Sequence, residues 1–513
     1  MSNSNGKELT QAKQLIKEGK LEEAIQLINE SGKEKPLSGD EKISYYLLKS
    51  SLSLYLFQNQ NILTYAEKAS QESQNLGISL QLLDVYIQMA MGLIHRFKSE
   101  ETLGFLVKAE DMLKMLTKEP LTELLERQAT MAYIKAWFYD DQNEKDKALE
   151  YAQRGLEMRE TIDHKADIGI SLWQIGWIYF RGDNDLALKY VEQCIDYCEK
   201  INYQNCIQKC NMLKGLIYFW KGEIDLALKY FKLSNTLLDE LPKESKNEFS
   251  AAQLFHLIGM VYQEKNKLDR AKEYFETALV IKEKVGAYFA KVMTLDELIS
   301  LALYKRDLKD AEKYLKEMKR ISDQEDNKFL KLCYRVNMAK LLKLSPLSSS
   351  RAKAEKILKE SLDDKVADSE AKIISLLNLS DLLLVKLGKT NDLKVLDEIQ
   401  VYITQLHDIV KNQKSYRLLA ETYLLRAKLE LLTLNLKESQ QFLDKAQDIT
   451  EIYGLNQLFR RILIEQEKLV DQTDNWERLK KTKANIAELI NLAHIEEQLS
   501  RMLRKRFLLQ NSV

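Results

Sequence analysis

Residues 172–231 carry one pattern twice in succession, LWQIGWIYFRGDNDLALKYVEQCI and then NMLKGLIYFWKGEIDLALKYF. Gly176 and Tyr179 of the first copy correspond to Gly215 and Tyr218 of the second, and Ala187 and Tyr190 to Ala227 and Tyr230. Each copy reads as a helix, a tight turn at Gly182 or Gly222, and a second helix. One such pair cannot bury its own apolar face, so neighbouring copies have to stack. A chain built this way is an array of helix pairs.

The rest of the 513 residues fits that plan. Only 4 prolines and 17 glycines occur, against abundant Leu, Lys, Glu, Ala and Gln, which favours an almost wholly helical protein. The 3.6-residue apolar period predicts about eleven helix pairs, from 8–18 with 21–30 through to 413–434 with 437–453. Pro36, Pro120, Pro242 and Pro346 all fall between predicted pairs, where a missing backbone donor does no harm. Inside the pairs the alanines Ala148, Ala187, Ala227, Ala271 and Ala311 recur at steps of about 40 residues. A small residue lets two helices approach, and Phe231, Phe275 or Leu315 four residues later fills the space beside it.

Residues 255–278 read FHLIGMVYQEKNKLDRAKEYFETA and resemble a tetratricopeptide repeat. That family's pattern is W-x2-L-G-x2-Y in the first helix, then a small residue, an aromatic and an alanine in the second. Phe255 takes the tryptophan place, followed by Ile258, Gly259, Tyr262, Ala271, Phe275 and Ala278. The resemblance covers roughly residues 8–453 of an expected repeat array at 1–453, is strong at 129–320 and weak at both ends, and is to the long-helix variants, because the step exceeds the family's usual length of about 34. It implies an all-α, right-handed superhelical solenoid of antiparallel pairs whose first helices line a concave face. Such arrays usually hold peptides or protein partners.

After residue 453 the pattern changes, and 454–513 is expected to be a helical cap. Ile486, Leu489, Ile490, Ala493, Ile495, Leu499 and Leu503 form one helical stripe that could cover the apolar end of the array. The basic end, Arg501, Arg504, Lys505 and Arg506, is read as a solvated helix terminus favoured by the macrodipole.

Four of the five tryptophans lie in three consecutive first helices: Trp137, Trp173, Trp177 and Trp220. Trp173, Trp177 and Phe180 make a stripe at i, i+4 and i+7, about 100° from the face that the repeat pattern commits to packing. Tyr133 and Trp137 share that register one repeat earlier, and Met212, Leu216 and Phe219 one later. Two arrangements satisfy this pattern. The stripe lines an exposed groove that anchors a partner, or tight packing buries both stripes. The groove is the expectation carried forward.

Cys194, Cys198, Cys206 and Cys210 follow C-x3-C-x7-C-x3-C, each pair at i, i+4 on one helix face. Four thiolates on two helices could hold zinc, but the spacing is not that of a zinc finger, and small buried cysteines are common. The expectation is reduced, metal-free packing residues, with no cofactor. No catalytic constellation stands out. The five histidines are scattered, and Gly388-Lys389-Thr390 lacks the first glycine of a phosphate loop, because Leu383 stands there.

Lys plus Arg and Asp plus Glu are both 77, so a general polyanion binder is a poor fit and no nucleic acid is expected. No apolar run approaches the length of about 20 residues that spans a bilayer. Met1–Gly6 is polar, without the apolar core of a signal peptide. The odd cysteine count does not suggest a secreted disulfide framework. A cytoplasmic, non-enzymatic scaffold is expected, binding another protein or peptide on its concave face, with a ligand- or peptide-responsive regulatory module as the alternative.

Overall fold

The computed structural model describes residues 4–31, 37–96, 98–142, 144–180, 183–324, 327–345, 347–363, 369–412, 415–471, 476, 478–479 and 485–505. Among them the regular structure is α-helix with two short 3-10 turns, at Lys243–Ser245 and Leu431–Thr433, and no strand. The eleven pairs are α1 (Ser4–Glu18) with α2 (Leu21–Glu30), α3 (Gly39–Tyr55) with α4 (Asn59–Glu72), α5 (Leu80–Ile94) with α6 (Ser99–Met115), and α7 (Leu121–Asp141) with α8 (Lys145–Thr161). Then come α9 (Lys165–Phe180) with α10 (Asn184–Lys200), α11 (Gln204–Lys221) with α12 (Ile224–Glu240), α13 (Glu248–Glu264) with α14 (Leu268–Lys284), and α15 (Tyr288–Tyr304) with α16 (Leu308–Gln324). The last are α17 (Lys328–Lys343) with α18 (Ser348–Asp363), α19 (Ser369–Thr390) with α20 (Leu393–Asn412), and α21 (Tyr416–Glu430) with α22 (Leu436–Ile452). Beyond them lie α23 (Asn456–Asp471), α24 (Ile486–Leu492) and α25 (Ile495–Lys505).

The repeat pattern works through close approach inside each pair. Ala148, Ala187, Ala227, Ala271 and Ala311 are all fully buried. At Gly259 a β-carbon would sit 2.7 Å from the ring of Phe275, so the glycine on α13 is the socket for the phenylalanine on α14. The tyrosine after each socket stacks on one from the second helix: Tyr139 on Tyr151, Tyr179 on Tyr190 and Tyr262 on Tyr274, with ring centres 5.3–5.4 Å apart. The antiparallel sense is visible in α9 and α10, where Gly176 faces Val191 while Gly169, two turns earlier, faces Cys198.

Turns within and between pairs end in a left-handed residue. Gly222 has φ +80°, and the next amide, Glu223, bonds back to the carbonyl of Tyr218 at 2.8 Å. Asn266 and Arg306 adopt the same conformation at φ +57°, with the same 2.8 Å bond, although neither is glycine. The turn at Gly182 lies outside the described residues, as do Pro36 and Pro346.

Two compact units can be distinguished. One comprises Met1–Ile217 with Lys229–Ala251, the other Tyr218–Leu228 with Ala252–Ser512. In the second, Leu489, Ile490, Ile495, Leu499 and Met502 join the buried cluster formed by α19, α21 and α22. The single stripe expected over 486–503 is broken into two helices, because His494 takes φ +50°. Gln498 crosses to the carbonyl of Glu421, and Lys428 to that of Ala493. Arg501 pairs with Glu497, one turn back on its own helix; Arg506 and the side chains of Arg504 and Lys505 lie outside the described residues.

Candidate functional site

The exposed aromatic groove expected from the sequence is corrected by the structure. Trp173 and Trp177 are only 6% and 3% exposed, and Tyr133, Trp137, Met212, Leu216 and Phe219 are buried as well. Phe180 alone is partly exposed. The rings form one continuous ladder, with Phe180, Trp177, Trp173, Trp137 and Tyr133 each 5.8–6.2 Å from the next.

In the first unit the Trp173 rung of this ladder is covered by the chain's own turn between α3 and α4. The ring of Phe57 meets Trp173 edge-on at 5.1 Å. Phe57 sits in the left-handed region at φ +55°, a conformation rarely held by a bulky residue. It is pinned there from both sides. The phenol of Tyr203 donates to the carbonyl of Tyr55 at 2.5 Å, and the amide of Asn247 donates to the carbonyl of Phe57.

Beside that turn the first helices α1, α3, α5, α7 and α9, with Arg159 of α8, line an open cavity of about 530 Å³. Its apolar wall comes from Leu9, Leu47, Leu48, Leu54 and Ile87. Its polar groups are organised around three ionic clusters. Arg127 reaches Asp84 at 2.7 Å and Glu123 at 2.8 Å. Lys17 of α1 holds Glu126 of α7 at 2.6 Å, with Lys13 3.8 Å from the same carboxylate. At the deep end Asp167 receives the Tyr55 phenol at 2.8 Å and lies 3.4 Å from Arg159 and 3.6 Å from His164. Gln88 adds an amide, bonded to Ser51 at 3.1 Å.

Burial sets the electrostatics here. It pushes the Asp84 carboxyl above its ordinary value, an effect that Arg127 only partly offsets. Burial acts the same way on Asp167, but Arg159, His164 and the Tyr55 hydrogen bond outweigh it and hold that carboxylate below its usual range. Tyr55 is lifted well above the phenol range by burial and by the charge of Asp167. Arg159 is 1% exposed, and its Nη2 finds no hydrogen-bond acceptor among the described residues.

None of the residues that pair ionically here, Asp84, Glu126, Arg127, Arg159 and Asp167, was singled out from the sequence. A faint signal was present: Gln88, Arg127 and Asp167 interrupt otherwise apolar first-helix faces. The cysteines were singled out, and α10 and α11 bring them together. All four are fully buried, with Sγ of Cys194 3.5 Å from that of Cys206 and 3.9 Å from that of Cys198. Burial pushes the Cys194 thiol up to about 11.

A tetratricopeptide repeat family model matches residues 252–284, the span of the Gly259–Phe275 socket. Two solved structures share the fold over 73% of this chain. They are the apo form of the quorum sensor NprR from B. thuringiensis, with TM-score 0.51 over 100% of its length, and a Rap protein complexed with competence and sporulation factor, with TM-score 0.50 over 99%. This is a helical repeat protein of the tetratricopeptide type. Sequence identity to those two structures is 16% and 13%, so the likeness is one of fold. The repeat protein also matches response regulator aspartate phosphatase E of Bacillus subtilis (strain 168), 24% identical over 185 residues. That match covers 35% of this chain and spans about half the length of the relative, 48%. No described helix is long and apolar enough to cross a membrane.

Proposed function

We propose that this chain is a cytoplasmic, peptide-responsive regulatory scaffold. The cavity in its first unit takes up a short peptide, or a short segment of a partner protein, and the protein acts by binding rather than by catalysis. The observation that carries this reading is the cavity itself. It is about 530 Å³ in volume and joins an apolar wall to hydrogen-bonding and ionic groups contributed by five first helices. An extended peptide needs that combination, with apolar contact for its side chains and polar partners for its backbone and termini. Arg159, buried with a donor to spare, suits a carboxylate of the peptide. Asp84, Glu126 and Asp167 are each tied to a cation, which fits recognition better than proton transfer.

The relatives support the same reading. Of the two whose fold this chain shares, one is described as a quorum sensor and the other as a complex with competence and sporulation factor. Regulation would run through α1. Its Lys13 and Lys17 pair with Glu126 across the cavity, so a charged peptide competes for the contacts that hold α1 in place.

The test is affinity selection from a pool of degenerate short peptides with free C-terminal carboxylates, read by mass spectrometry, using the wild type and Thr130→Trp. Thr130 lines the cavity and is only partly buried, so tryptophan there fills the space without removing a charge. Enrichment by the wild type, lost in a variant that melts normally, is the expected result. Equal enrichment by both proteins places binding elsewhere, and no enrichment by either removes the reading.

A further inference from the structure

We propose that Cys194, Cys198, Cys206 and Cys210 form a tetrathiolate zinc site that staples α10 to α11. This reading is independent of the peptide cavity, and it replaces the expectation that these residues merely fill space.

The argument is geometric. In a tetrahedral zinc–thiolate site the metal–sulfur distance is about 2.3 Å, which places neighbouring sulfurs about 3.8 Å apart. The sulfur of Cys194 lies 3.5 Å from Cys206 and 3.9 Å from Cys198, and those of Cys194, Cys206 and Cys210 all fall within 4.8 Å of one another. Three sulfurs from two helices therefore cluster at nearly the spacing that zinc imposes, and Cys198, 3.9 Å from Cys194, stands beside them to supply the fourth. The spacing in sequence explains how. Each helix offers two cysteines one turn apart, and the left-handed residue Asn202, φ +55°, folds the helices back so that the two pairs face each other.

The surroundings fit as well. All four residues are fully buried, so the site is closed, as structural zinc sites are. The neighbouring helix gives way to the sulfurs: a β-carbon on Gly169 of α9 would stand 2.9 Å from the sulfur of Cys198. A tetrathiolate with Zn²⁺ carries two net negative charges, and one turn beyond Cys210 α11 carries a largely buried cation, Lys214, which also pairs with Glu192 at 3.0 Å. Binding is balanced as Zn²⁺ plus four thiols going to the tetrathiolate complex and four protons released to solvent. No electron is transferred.

The experiment uses the full chain, purified under reducing conditions without chelator, with zinc measured by elemental analysis. About one zinc per chain is expected for the wild type and for Cys333→Ser, whose cysteine lies elsewhere, and less than about a tenth of that for Cys206→Ser. Because Cys206→Ser could fold poorly, reduced wild-type protein stripped of metal is also titrated with cobalt(II). A stoichiometric visible spectrum of a tetrahedral cobalt–thiolate centre, displaced by zinc, is the supporting result. Wild-type protein without zinc that gives no such spectrum overturns the proposal. So does a Cys194–Cys206 disulfide in freshly isolated protein, or zinc retained at full stoichiometry in a folded Cys206→Ser.

Discussion

The Tyr55 phenol donates a 2.8 Å hydrogen bond to Asp167, a residue 112 positions further along the chain. Both groups are buried, and Asp167 is ionised beside Arg159 and His164. A hydrogen bond to a buried charge contributes about 1.5–3 kcal/mol, so Tyr55→Phe should destabilise the protein by that order. A double-mutant cycle with Asp167→Asn, followed by chemical denaturation, should recover most of that figure as coupling.

Asp167 also fixes a pH dependence. Its carboxylate is held below the ordinary value of 3.8 in the folded protein, so its contribution is fully present above the unfolded value. The contribution is lost as pH falls through the lower, folded value. Melting temperature measured from pH 6 downward should therefore fall less steeply in Asp167→Asn than in the wild type. Parallel curves would show that the carboxylate is not stabilised by its partners.

Trp177 is a core residue. Trp177→Ala should cost about 3–5 kcal/mol of folding free energy. The indole nitrogens of Trp173 and Trp177 have no acceptor among the described residues, so Trp177→Phe should cost much less. Equal losses in the two variants, measured by calorimetry, would contradict this account of the ladder.

In the second unit, Lys282 is buried and donates to Thr294 at 2.7 Å, while Thr294 also meets His256 at 3.2 Å. Burial brings the Lys282 amine from 10.5 down to about 7. The unfolded chain therefore binds this proton more tightly than the native one, and stability rises with pH between those values. The slope is up to about 1.4 kcal/mol per pH unit. Lys282→Met should flatten the rise between pH 7 and 10, as followed by denaturant titration; an unchanged slope would place the amine in contact with water.

Much of the fold was legible in the sequence because its signals are local. Gly259 with Phe275, and the recurring alanines, state which surfaces touch inside a pair, and periodicity states where helices run. The aromatic stripe shows the limit. Periodicity identified Trp173 and Trp177 as a second apolar face, but it cannot name what lies on that face. The answer, Phe57, sits more than a hundred residues away in a turn with no sequence mark, since its left-handed conformation is carried by a phenylalanine. The cavity was hidden for a similar reason: Arg127 and Asp167 look like surface charges until distant helices close around them.

The C-terminal helices offer a direct test of their role as a cap. Leu489, Ile490, Ile495, Leu499 and Met502 cover α19 and α21, so deleting 474–513 should expose that cluster. Self-association in sedimentation velocity and a lower melting temperature are expected; a monomer with unchanged melting would make the tail an appendage.

The pinned turn at Tyr55–Phe57 also bears on how the molecule is made. A simple repeat array can mature pair by pair as it leaves the ribosome, since each pair needs only its neighbours. Here the turn's partners arrive 148 residues later at Tyr203 and 190 later at Asn247. The cover over Trp173 is therefore not fully pinned until most of the first unit has been synthesised and that long loop has closed. A nascent chain halted before Asn247 should thus engage holdase chaperones, and release them once that asparagine emerges.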